Sequence, residues 1–217
     1  MSTDTHTQHT GHTRHTESTE NAEHTQRARP AAGVAPDSAA AAPRYEIRAI
    51  APDVVSALRV RDDAGEAPRT HVSENGGTPL RCCLGRSEPG ERMLLVSYAP
   101  LRRWAAETGA DPGAYDEVGP VFIHPEPCGG WTPDAAAAGR YPEPMRGERR
   151  VLRAYGATGQ ILGGRLLIEG SADHGESVEE ALATWYEDPR VAAVHIRAVE
   201  FGCFHAETRR VGSAGAA

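Results

Sequence analysis

The chain contains no lysine, and all 23 of its basic side chains are arginine. That absence excludes a phosphate-binding loop of the G-x-x-x-x-G-K type, a kinase-type strand lysine and any Schiff base to a carbonyl or pyridoxal group, since each needs a primary amine. The wealth of Ala, Gly, Pro and Arg attributes the missing lysine to genome composition rather than to chemistry. Positive charge is also short. The formal net charge is −7, and no basic stripe is present to meet phosphates, so no nucleic-acid partner is expected. No apolar stretch reaches the ~18 residues that span a bilayer, so no membrane partner is expected either. The first 40 residues lack the charged start and apolar core of a secretory signal, and Ala39–Ala42 is too short to serve as one. The resulting expectation is a cytoplasmic protein. Its four cysteines, Cys82, Cys83, Cys128 and Cys203, are then reduced thiols. Cys82 and Cys83 are adjacent, which is poor geometry for a mutual bond.

What is present divides the chain in two. Residues 1–44 carry Thr, His, Ser, Ala and Pro with almost no large apolar side chain, a composition that predicts a disordered tail. Within it His6, His9, His12 and His15 recur every third residue, each followed by threonine, and His24-Thr25 repeats the pair. Such a tract chelates metal only loosely because it lacks fixed geometry. It reads equally as a solvated tail or as a segment upstream of a start at Val34. Residues 45–210 form the expected single domain, and 211–217 a flexible end.

The domain reads as strands at Tyr45–Ile50, Met93–Ala99, Val118–His124, Arg150–Tyr155, Gln160–Glu169, Val191–Arg197 and Cys203–Arg209. Short helices are predicted at Asp53–Val60 and Ser177–Glu187, with a helical patch at Leu101–Glu107. Residues Gly156 to Gly159 suggest a hairpin turn, and Trp131–Gly147 an irregular loop. About seven strands stand against two or three short helices, with few βα alternations and with hairpins expected between neighbouring strands. The fold class is therefore α+β, with a mostly antiparallel sheet and two or three short helices.

Two motifs fail on inspection. The glycines Gly156, Gly159 and Gly163 follow a strand but miss the G-x-G-x-x-G spacing of dinucleotide-binding turns, and strand rather than helix comes next. His124, Glu126 and Cys128 hold fragments of the nucleobase-deaminase signature, yet those fragments are fused here and the C-x-x-C continuation is missing. Neither H-E-x-x-H nor G-x-S-x-G occurs.

Strand parity supplies the candidate site. If the last two strands pair around Val199–Gly202, a register that opposes apolar residues puts His195, Arg197, Cys203 and His205 on one polar face. Sulfur and imidazole are the ligands zinc prefers, and a thiol beside Arg and His is also open to activation. Cys83, His124 and Cys128 lie at strand ends or in loops and can converge on that face. The candidate metal ligands are therefore Cys83, His124, Cys128, His195, Cys203 and His205, with Zn as the metal and Arg197 holding an anion.

The segments Arg81-Cys82-Cys83-Leu84, Pro89-Gly90-Glu91, Leu94–Pro100, Gly119–His124 with Cys128, Leu152–Tyr155, and Val194–Arg197 with Gly202-Cys203-Phe204 occur in an order that resembles the bacterial family called domain of unknown function 1203. The likeness covers roughly Arg44 to Arg210. It implies no assigned activity, substrate or cofactor. The family's first motif reads C-R-x-C-L, whereas this chain has Leu80 at the first cysteine position and Cys82 in the middle. Three readings stay open: a Cys/His zinc site, a thiol site with Cys203 activated by His195 or His205, and a non-catalytic binding or scaffold domain in which these residues are structural.

Overall fold

The computed structural model describes residues 44–132, 139–147, 149–168 and 176–212. The His-Thr tract, most of the expected tail, His174, Glu169 and the last five residues lie outside the described residues.

Two five-stranded sheets carry the domain where one was expected. The first is built from β1 (Tyr45–Arg48), β7 (Arg149–Gly156), β8 (Ile161–Ile168), β9 (Val191–Ala198) and β10 (Phe204–Arg210), in the order β1-β10-β9-β7-β8. Every pairing in it is antiparallel. The second contains β2 (Arg69–Ser73), β3 (Pro79–Leu80), β4 (Gly85–Arg86), β5 (Glu91–Tyr98) and β6 (Gly119–Ile123), in the order β2-β5-β6-β3-β4. Only its β3–β6 contact, through Leu80 and Phe122, is parallel. The α+β, mostly antiparallel expectation holds.

Three α-helices accompany the sheets among the described residues: α1 (Pro52–Leu58), α2 (Pro100–Thr108) and α3 (Val178–Trp185). The first two begin with proline, whose fixed φ suits the first helical position. Ser177 caps α3 by accepting the Glu180 N–H at 3.2 Å, while the Glu180 carboxylate accepts the Ser177 N–H at 2.8 Å. Val178, Ala181 and Leu182, at i, i+3 and i+4, then bury one face against Leu152, Val194 and Ile196 of the first sheet. Helix α1 packs Val55 and Leu58 against Val96, Val121 and Ile123 of the second sheet. The sheets meet where Tyr98 of β5 contacts Phe204 of β10 edge to face, with ring centroids 5.3 Å apart. No helix among the described residues is long and apolar enough to cross a membrane.

The expected hairpin forms. Gly156 N–H donates to Gln160 O and Gly159 N–H to Gly156 O, closing β7 onto β8. Gly163 on β8 has a packing reason, because a Cβ there would lie 2.7 Å from Cη2 of Trp185. The strand therefore needs a bare backbone under the indole at the end of α3. Gly163→Ala is expected to destabilise the domain by about 1–3 kcal/mol through overpacking, read as a lower urea midpoint with an unchanged m-value.

Candidate metal centre

The site is assembled from two loops that the second sheet brings side by side. Between β3 and β4 the chain turns through Arg81, Cys82, Cys83 and Leu84. Arg81 N–H donates to Phe122 O at 2.9 Å, and Arg81 O accepts from Ile50 N–H at 3.1 Å, so the turn's first residue is held to β6 and to the segment before α1. Leu84 closes the turn in the left-handed region at φ 54° and buries its side chain fully in the first sheet's core. Cys82 is buried in the second sheet's core.

The second loop leaves the end of β6 at His124. Arg59, at the C-terminus of α1, donates to the carbonyls of His124 at 3.1 Å and Glu126 at 2.8 Å, pinning the loop to the helix. Beyond Cys128 the chain passes through Gly129 and Gly130 at φ 81° and 75°, a left-handed path that side-chain-bearing residues rarely follow.

Together the loops place one ligand atom each from Cys82, Cys83, His124 and Cys128 within 4.8 Å of one another. Nδ1 of His124 lies 3.2 Å from Cys82 Sγ and 3.8 Å from Cys83 Sγ. Backbone N–H of His124 donates to Cys82 Sγ at 3.3 Å. On the other side of the ring, Nε2 is 3.0 Å from Oε1 of Glu91 at the start of β5. In the neutral ring that contact places the proton on Nε2 and turns the bare Nδ1 toward the sulfurs.

The thiols are electrostatically unequal. Cys83 is lowered to about 6 by the hydrogen bond from Cys82 foremost, helped by the Gly85 backbone N–H, His124 and Cys128, with burial working against them. Cys82 is pushed above the ordinary thiol range by that same bond and by its deeper burial. One thiolate is thus ready at neutral pH, held beside a second sulfur that keeps its proton. A tetrahedral zinc ion with Zn–S of ~2.3 Å needs sulfur–sulfur edges of about 3.8 Å. The donor atoms, none more than 4.8 Å from another, stand within about 1 Å of that spacing.

Of the residues singled out from the sequence, Cys83, His124 and Cys128 come together, and His195, Arg197, Cys203 and His205 do not join them. The β9–β10 register differs from the expected one: Phe204 pairs with Arg197, and beyond a bulge at His205 Ala206 pairs with Ile196 and Glu207 with His195. The extra residue displaces His205 from the expected face. Its Nδ1 instead meets the Tyr141 hydroxyl at 3.1 Å. His195 is fully buried, with Nε2 3.2 Å from Glu207 and its ring against Tyr155 and Phe204. Burial lowers its pKa, which Glu207 offsets in part. Cys203 lies in the turn before β10, where its thiol donates to Phe201 O at 3.6 Å. Arg197 pairs with Glu117 at 2.9 Å, so its charge is already matched.

Sequence reasoning missed Cys82 as a member of the cluster and Glu91 as the partner of His124 Nε2. Adjacent residues share a side only in a turn, so strand parity gave no reason to group Cys82 with Cys83. Glu91 belongs to the Pro89-Gly90-Glu91 segment, the one signal that pointed to it.

A family model described as a protein of unknown function, DUF1203, matches residues 77–210. The chain belongs to this family. Neither the curated proteins nor the solved structures returned a match. The DUF1203 match contains all four clustered residues and Glu91, whereas β1, α1 with Arg59, and β2 precede it.

Displaced from the cluster, His205 has its own consequence. Burial, then the charges of Arg81, Arg150 and Arg86, lower its pKa from 6.5 to about 2. The unfolded chain binds this proton in a window where the folded domain does not. The stability it contributes is therefore complete above about pH 6.5 and falls as pH drops toward 2. His205→Gln is expected to lose less stability than the unaltered chain between about pH 7.5 and 5.5, measured by urea denaturation at each pH.

Proposed function

We propose that this DUF1203 domain is a zinc-binding protein in which Cys82, Cys83, His124 and Cys128 hold one ion. The observation that carries the reading is the two-sided environment of His124: Glu91 on Nε2, and Cys82 and Cys83 facing Nδ1. A carboxylate behind the imidazole and thiols before it is the arrangement that fixes tautomer and ring orientation in metal centres. Three sulfurs and one imidazole form a soft, four-donor set that favours tetrahedral zinc over harder cations.

Four protein donors fill a tetrahedron and leave no position for an activated water. The centre is accordingly read as structural, tying the β3–β4 turn to the loop after β6 and so fixing the surface built around both. The lowered Cys83 supports a second reading, a reactive thiol, which the same experiment separates from the first.

Elemental analysis of the purified protein is expected to give about one zinc per chain. Cys128→Ser and Cys82→Ser are each expected to lose most of it, and chelation to lower the melting temperature. Glu91→Gln is expected to retain the ion with about 10–100-fold weaker affinity. Far less than one metal per chain, with selective alkylation of Cys83, would favour the thiol reading instead.

A further inference from the structure

A cavity of about 770 Å³ opens beside the junction of the two sheets, and three arginines line it: Arg81, Arg86 and Arg150. Two of them are buried, Arg81 at 4% and Arg150 at 6% exposure. Among the described residues no carboxylate pairs with any of the three. Every hydrogen bond found for their guanidinium groups ends on a backbone carbonyl. Arg81 Nε donates to Phe204 O at 2.8 Å, and its Nη1 to Pro79 O. Arg86 donates to the carbonyls of Gly77 at 2.6 Å, Arg146 at 3.1 Å and Pro144. Arg150 donates to Arg149 O at 2.6 Å and to Met145 O.

Carbonyls orient these forks without cancelling their charge. The Nε of Arg150 is buried with no partner among the described residues. Gly147 makes room for that guanidinium, since a Cβ there would fall 2.6 Å from Arg150 Nη2. The single carboxylate in the lining, Glu200, faces Arg149 at 3.8 Å. Burying clustered cations without a counter-charge is costly, and a chain of net negative charge with 30 acidic side chains supplies none to these three among the described residues. His205, also in the lining, is kept neutral by its burial first and then by the same three cations, and it adds no negative charge. Phe122 and Pro120 supply apolar surface to the wall, and Cys203 is also in the lining. Volume and lining match a site for a small molecule.

We propose that this cavity binds a small organic anion, its phosphate or carboxylate group held by Arg81, Arg86 and Arg150 and its apolar body lying against Phe122 and Pro120. Planar guanidinium forks recognise both oxyanions, which makes arginine the fitting residue here. The cavity lining contains none of the four residues of the Cys/His cluster.

Titration calorimetry of the full chain with phenyl phosphate, phenylacetate and inorganic phosphate tests this. At least one aromatic anion is expected to bind, and more tightly than inorganic phosphate; which of the two binds better identifies the oxyanion. Binding is expected to weaken about tenfold or more in Arg150→Met and in the more exposed Arg86→Gln. In the unaltered chain the bound anion is expected to slow iodoacetamide alkylation of Cys203 and leave Cys128 unchanged, read by mass spectrometry; this decides the matter if Arg150→Met fails to fold. Absence of binding by both aromatic anions at about 10 mM would overturn the proposal. So would binding that neither shields Cys203 nor weakens in a folded variant.

Discussion

The turn from Arg81 to Leu84 is the constraint on which the rest of the molecule depends. Its backbone is hydrogen-bonded to β6 and to the segment before α1, while the Arg81 side chain crosses to the Phe204 carbonyl at the start of β10 in the other sheet. Cys82 and Leu84, two residues apart, enter different cores. A left-handed leucine costs ~1–2 kcal/mol, and full burial of its side chain offsets that cost. Because four consecutive residues fasten both sheets, the Cys/His cluster and the arginine-lined cavity inherit their geometry from the same short segment.

Arginine's role in the fold gives the missing lysine a structural counterpart. Arg59, Arg86 and Arg210 each reach across loops to two or more backbone carbonyls, Arg210 to those of Val191, Tyr186 and Asp188. A flat fork with five donors performs such stapling, whereas a single ammonium on a flexible stem presents no such planar array. Buried polar groups follow the same logic. Glu207 is held charged at the centre of the first sheet by His195 and Arg209, which outweigh its burial.

Much of the fold was legible because period-two and period-3.6 patterns are local. The β7–β8 hairpin, the capped α3 and the pairing of β9 with β10 all followed from residues close in sequence. The division into two sheets was not legible, since β3 and β4 are two residues each and pair with or beside a strand more than forty positions away, Leu80 with Phe122. The candidate site was half legible for a related reason. His124 and Cys128 stood out by residue type at a strand end, but the shifted pairing next to the turn and the bulge at His205 leave no local mark and take Cys203 and His205 off the face on which the hairpin cluster rested. Cys82 was hidden by its neighbour, and Glu91 by its distance in sequence from the histidine it orients.

The central claim is that four side chains from two loops enclose one metal ion. X-ray absorption at the zinc edge of the metal-loaded protein tests it most directly. The account predicts three sulfur neighbours at ~2.3 Å and one nitrogen at ~2.0 Å. A first shell of oxygen and nitrogen, or one with fewer than three sulfurs, would contradict it.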